Sequence, residues 1–291
     1  MTITPELLIN SLLAGVLLGG FYAALSAGAT IAFGLLEIVN IAHPTFAVIG
    51  AYAVYLLNSY FNLDPLIGGL VLTPIFYLVG MLLYQTYHYA FERRSEEAMQ
   101  GLAFFFGLMF IAEVVLIMVF GVDFRYVTAS YITTTWQFGD IGVPLRLAVP
   151  FVGSLALLLV LELGLRRTFT GRAVIAVAED PLALRLMSAS PVKIKRIAFG
   201  VAIATTAFVG ALLIIIQPLQ PAGGREFIGR VFAICVLGGM GSVSGTLIAA
   251  IFLGVVENMT SIFLGASWSP AVAFGFLLIT LAVRPRGLLG R

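Results

Sequence analysis

"RRTFTGRAVIAVAEDPLALRLMSASPVKIKR", residues 166–196, decides how the chain is read. It lies between two strongly apolar runs, 147–166 and 197–217. Yet it carries Arg166, Arg167, Arg172, Glu179, Asp180, Arg185, Lys193, Lys195 and Arg196. A helix that crosses a bilayer needs about 20 predominantly apolar residues, so this segment is a folded connector at a membrane surface. Its first part, "GRAVIAVAED", reads as a short helix. Asp180 is placed to cap a second helix that has Pro181 at its first position, and Ser190 with Pro191 repeats the device. Val174, Val177 and Ala178 fall on one side of the first helix, and Leu182 and Leu186 lie one turn apart on the second. Two readings follow. The connector is either a surface loop packed on its own membrane domain or a docking element for a cytoplasmic partner. The docking reading rests on Gly171, Arg172, Val177, Glu179, Asp180, Pro181, Leu182, Arg185 and Leu186.

Outward from this connector, the chain of 291 residues is 60% apolar and only 10% charged, where a soluble domain carries about 25% charged residues. Runs able to span a bilayer fall at 8–34, 44–61, 66–90, 101–121, 147–166, 197–217, 245–264 and 268–284. The pattern predicts an all-α, polytopic helical membrane protein forming a single transmembrane domain over 1–291. A shorter apolar piece, 228–240, is either a short crossing helix or a re-entrant segment, so the expected number of passes is eight or nine. Placing 91–98, 166–196 and the C-terminal tail in the cytoplasm leaves only Arg125, Arg146, Arg225 and Arg230 outside, the expected bias for inner positive charge. The connector 122–143 is then external. The basic residues sit in short clusters between helices, which gives no nucleic-acid surface.

The polar residues inside the apolar runs are the candidates for a solute path. Asn40, His43 and Thr45 lie at a helix break, where unwound backbone can face a cavity. His43 either contacts solute or bridges helices. Gly238, Gly239, Gly241, Ser242, Ser244 and Gly245 form a second break, and small residues of this kind equally serve close helix packing. Glu113 sits in mid-run, an intramembrane carboxylate that marks an ion or solute site unless it is protonated or paired at a subunit interface. Glu257 and Asn258 fall near the outer end of their run, within expected reach of water, and Thr205 and Thr206 can bond back to their own helix. Cys235 is the sole cysteine and His43 and His88 the only histidines, so no metal cluster or catalytic constellation is expected. Neither Lys193 nor Lys195 stands in a phosphate-binding loop pattern, so any ATP-driven work must come from another chain.

Four blocks of the sequence carry a resemblance. "GRAVIAVAEDPLALRLMSASPVKIKRIAFGVAIATTAFVGALL" resembles the cytoplasmic loop and following helix of branched-chain amino acid ABC transporter permeases of the H type. "GLLEIVNIAHPTFAVIGAYAVYLL" is similar to that family's N-F-A-H-G stretch, with Ile41 at the aromatic position and Pro44 at the glycine. "AICVLGGMGSVSGTLIAAIFLGVVENM" resembles its V-L-G-G-x-G-S-x-x-G-A block, and "RPRGLLGR" its P-x-G-L-x-G tail. The resemblance implies a permease of an importer in a bacterial inner membrane. Its implied partners are a second homologous permease, two ATP-binding subunits that hold ATP and Mg, and a periplasmic substrate-binding protein. It implies branched-chain amino acids or related small amphiphilic solutes as cargo, and no cofactor in this chain. The competing expectation is a secondary transporter or channel that uses Glu113 as its proton or ion site.

Overall fold

The computed structural model describes residues 5–92, 97–139, 141–186 and 188–283. Arg93, Arg94, Arg284, Arg286 and Arg291, assigned above to the cytoplasmic face, lie outside these residues, as does the tail motif. The described chain is mostly helical. Helix α1 spans Pro5–Thr30 and runs on through a wider π-helical turn, Ile31–Leu35. It is followed by α2 (His43–Phe61), α3 (Pro65–Ala90), α4 (Glu97–Phe120), α5 (Leu145–Arg167), α6 (Phe169–Glu179), α7 (Pro181–Leu186), α8 (Pro191–Ile216), α9 (Gly224–Gly238), α10 (Val243–Phe263) and α11 (Ser269–Val283). Local chemistry sets several of the ends. Asn62 takes a left-handed φ of 51° and closes α2. The Asp64 carboxylate then accepts the Leu66 N–H at 2.9 Å, with Pro65 opening α3.

Among the described residues, six helices are long and apolar enough to cross a membrane: Pro5–Leu35, Pro65–Ala90, Met99–Phe120, Leu145–Arg167, Pro191–Ile216 and Val243–Phe263. The molecule is thus a multi-pass helical membrane protein. One element departs from the all-α expectation. In the connector 122–143 and just beyond it, β1 (Thr135–Phe138) pairs antiparallel with β2 (Ile141–Pro144). The run "TTTWQF" is rich in β-branched and aromatic residues, and Gly139 supplies a φ of 63° beside the turn. The hairpin is pinned to the start of α1, where Asn10 Oδ1 accepts the Gly142 N–H at 3.1 Å.

The core is built on two close antiparallel pairs. Along α1 and α10, glycines bring backbone against backbone: a Cβ on Gly19 would lie 2.6 Å from the Ile251 Cα, and one on Gly15 would lie 2.8 Å from the Val255 Cα. Along α3 and α8, a Cβ on Gly80 would lie 2.8 Å from the Ile203 Cβ. Small residues permit such approach where no hydrophobic drive between helices exists. Helix α8 is the innermost element, with Phe199, Ala202, Ile203, Ala207, Ala211 and Leu212 fully buried. At the end of the bundle that carries the hairpin, the backbones of Arg125 and Leu219 bond each other both ways, at 3.0 and 2.8 Å. The segment after Leu219 leads into α9. That helix ends at the opposite end of the bundle, beside the turn that closes α1 and helix α6. Its 15 residues give about 22 Å at 1.5 Å per residue, short of the roughly 30 Å of a hydrocarbon core.

Candidate translocation path and coupling segment

The first break is a buried, hydrogen-bonded turn. Asn40 Oδ1 accepts the Ala42 N–H at 3.1 Å and so shapes the entry to α2. Pro44 falls in the first helical turn, where its missing N–H has no partner to lose, so a proline is accommodated here. His43, Thr45 and Asn40 are all buried. The His43 ring lies against Gly28 and beside Thr205, so α1, α2 and α8 meet at one glycine. Thr45 packs on Gly224, whose own Cβ would fall 2.8 Å from the Thr45 hydroxyl, at the start of α9. Thr205 and Thr206 donate to the Ala202 and Ile203 carbonyls at 2.7 and 2.6 Å, the back-bonding expected of them.

The second break is a tight turn that only glycine builds. Gly239 and Gly241 take φ of 91° and 84°, in a region L side chains rarely adopt. Gly238 lies so close to Gly245 that a Cβ would fall 2.6 Å from the Gly245 carbonyl carbon. Ser242 then caps α10 by accepting the Gly245 N–H at 3.1 Å, and Ser244 follows it on the exposed side. This turn opens on a cavity of about 500 Å³ whose walls include Ser242, Ser244, Glu162, Ile175 and Glu179. The glycine turn and helix α6 therefore share one space.

The carboxylates inside the bundle are paired within the chain. Glu113 on α4 accepts from Arg225 Nε at 2.6 Å, and that guanidinium lies 4.5 Å from the Phe110 ring centroid. Glu257 accepts from Arg230 Nε at 2.8 Å and from the Tyr22 hydroxyl at 2.9 Å. One expectation is corrected here. Glu257 is buried at 5% exposure rather than reached by water, because Arg230 and Tyr22 enclose it. Arg225 and Arg230 stand in the first two turns of α9, which begins at Gly224. Asn258 is half-buried and donates back to the Gly254 carbonyl at 3.0 Å.

The charged connector folds as two short helices, α6 and α7, between α5 and α8. Thr168 accepts the Gly171 N–H at 3.0 Å and starts α6, a cap that sequence reasoning missed although Thr168 stands directly before the helix. Asp180 accepts both the Leu182 and Ala183 N–H groups at 2.9 Å, as expected of it. Ser190 differs from expectation. Its hydroxyl makes no capping bond, and Pro191 alone presets the first turn of α8. Val177 and Gly171 also differ. Val174 and Val177 are buried, and Gly171 is pressed against Gly164 and Leu165 at the end of α5. These three fasten α6 to its own chain rather than offering a surface. Arg172, Glu179, Asp180, Leu182, Arg185 and Leu186 remain exposed, Leu182 at 66% and Leu186 at 82%; the side chain of Pro181 lies outside the described residues. Just beyond, Lys195 donates to Glu92 at 2.8 Å, and Tyr84 and His88 reach the same carboxylate. Burial alone would raise the Glu92 pKa, but these donors outweigh it and hold the carboxyl below its ordinary range.

With this geometry in view, comparison with known proteins is decisive. The family model described as "Branched-chain amino acid transport system / permease component" matches residues 11–281. The chain belongs to that family. Family members with curated names cover nearly all of it. The permease protein LivH of the high-affinity branched-chain amino acid transport system of Escherichia coli K12 is 25% identical, with 95% of this chain and 94% of that protein aligned. BraD of Pseudomonas aeruginosa is 24% identical over 97% of this chain and 96% of its own. The permease protein LivM of Salmonella typhimurium is 30% identical over 92% of this chain and 67% of its own. No solved structure matches.

Within this permease family fold, the two sequence breaks occupy different levels. Asn40, His43 and Thr45 gather at the start of α2, and Gly238 through Ser244 gather at the α6 end of the bundle. Glu113 is brought to neither; it stands with Arg225. The residues that sequence reasoning missed are Arg225, Arg230 and Tyr22. The signal of the two arginines was present in "GREFIGRVF", where Arg225, Glu226 and Arg230 open a helix that carries no other charge.

Proposed function

We propose that the chain is the membrane permease subunit of an ATP-driven importer, forming half of the path for branched-chain amino acids or related small amphiphilic solutes. The observation that carries this reading is the α6–α7 pair. It is anchored inward by Val174 and Val177 and presents Leu182 and Leu186 outward, between two long apolar helices. An apolar pair left in water on a capped, rigid element suits a contact that transmits work from a soluble subunit. The partners are a second homologous permease, two ATP-binding subunits carrying ATP and Mg, and a periplasmic substrate-binding protein, in a bacterial inner membrane. That relatives named LivH and LivM both align with this chain supports a pairing of homologous permeases.

The reading takes the α6–α7 end as cytoplasmic and the hairpin end as periplasmic. It also takes α2, α9 and α11 as shorter crossings beside the six long ones, which gives nine passes. The pairing of Glu113 with Arg225 supports a structural role for that carboxylate and weighs against a proton-driven carrier. The test is uptake by liposomes holding the reconstituted complex and its binding protein. Leucine accumulation should require internal ATP and persist without a proton gradient. Uptake by this chain alone, abolished by collapsing the gradient, would reverse the assignment.

A further inference from the structure

The charges around α9 do not balance. Among the described side chains of α4, α9 and α10 there are three carboxylates, Glu113, Glu226 and Glu257, and two guanidinium groups, Arg225 and Arg230. Arg225 is held by Glu113 and Arg230 by Glu257. Glu226 is exposed in the first turn of α9, and Gln220 Nε2 donates to its side chain at 3.2 Å. Arg230, whose Nε is held by Glu257, donates to the Glu226 backbone carbonyl at 2.9 Å and lies near enough for the two charges to attract. The connector cation Arg125 donates to the Phe120 carbonyl at 2.9 Å, with its guanidinium 5.9 Å from the Tyr55 ring centroid. An acid in a first helical turn suits the helix dipole, but that does not account for its surroundings.

Glu226 stands in the wall of a cavity of about 230 Å³. Gln217 and Gln220 share its polar side, and Val48, Leu213 and Phe227 form an apolar one. Pockets for drug-sized ligands run to about 300–1,000 Å³, so this one suits a single small solute. It adjoins a larger cavity of about 890 Å³ at the hairpin end, the two meeting across Gln217 and Pro218. A carboxylate in the wall of such a cavity can accept charge-assisted hydrogen bonds from a cation. The apolar wall beside it suits a cation joined to an alkyl group of modest size.

We infer that this cavity is a solute-binding site of the permease, in which Glu226 receives the ammonium group of an amino acid and Val48, Leu213 and Phe227 enclose its branched alkyl chain. The inference rests on the importer reading and names the site within it. The experiment uses the reconstituted complex with its binding protein and photo-leucine, whose diazirine reacts where the alkyl chain lies, with leucine uptake measured in parallel. Labelled peptides should contain Val48 and residues 213–227. Glu226→Gln should lower labelling and uptake about tenfold, as expected when one charged hydrogen bond is lost, and Glu226→Asp should lower them less. Uptake that proceeds with the label elsewhere, or with Glu226→Gln equal to wild type, overturns this site alone. Absence of leucine uptake by the wild type overturns the importer reading and this site with it.

Discussion

At the scale of the residue, the energetics concentrate in groups that composition hides. Only 10% of the chain is charged, yet two of its acids are buried within helices and matched by arginines on one short helix. Arg230 is the more enclosed of the two, at 20% side-chain exposure against 45% for Arg225. Removing one member of a buried pair strands the other, at a cost of about 3–5 kcal/mol, while replacing both with neutral groups costs far less. Arg230→Ala should therefore lower the thermal unfolding temperature of detergent-solubilised protein sharply. The double variant Glu257→Gln with Arg230→Gln should recover most of the loss, because the glutamine at 257 still offers Tyr22 an acceptor. Equal destabilisation by both would mean that the pair contributes packing rather than charge. Glu113 was legible in sequence as an anomaly, since it interrupts an apolar run, whereas Glu257 was read as lying near the outer end of its run, within reach of water. Their partners were not legible, because pairing joins residues 112 and 27 positions apart, and linear spacing carries no sign of it.

At the scale of the element, the α6–α7 pair divides into a buried anchor, Val174 and Val177, and an exposed apolar pair, Leu182 and Leu186. The sequence pattern showed both helices and the Asp180 cap, because capping is a local interaction. It did not show which apolar residues turn inward, since that depends on where the end of α5 lies. Leu182→Asp or Leu186→Asp should leave the permease folded and inserted, but release the ATP-binding subunits on co-purification and abolish uptake. Val174→Asp should instead reduce the yield of folded permease, because that side chain is 3% exposed. Asp180→Ala removes acceptors for two N–H groups, a cost of about 0.5–2 kcal/mol. It should preserve assembly while lowering transport per ATP hydrolysed. Normal assembly and uptake in both leucine variants would reduce the pair to a surface loop.

At the scale of the whole molecule, the helical multi-pass character was readable because lipid demands self-satisfied backbone over a fixed thickness, whereas the expected runs 44–61 and 268–284 are not among the six described helices long and apolar enough to cross. The hairpin was not readable, since four-residue strands fall below the reach of a periodicity argument. Cysteines introduced at Ser188 and Ser130 test the orientation of the assembled chain: the first should react with impermeant thiol reagents only from the cytoplasm, the second only from the periplasm. Reaction of position 188 from the periplasm would invert the molecule and remove the coupling role of α6–α7. The glycine contacts test the packing. Gly19→Val should prevent accumulation of folded protein, because its Cβ would lie 2.6 Å from the Ile251 Cα. Gly107→Val, on a face of α4 with open space, should be tolerated. Those contacts have a mechanical consequence. Where backbone meets backbone, no rotamer change can absorb sliding or rolling, so α1 with α10 and α3 with α8 each behave as a fused beam. Deformation during a transport cycle is then confined to the seam between the two beams. The His43 ring lies on that seam, between Gly28 of one beam and Thr205 of the other. Probe pairs placed within either beam should hold a fixed separation through the ATP cycle, and pairs placed across the seam should record all of the motion.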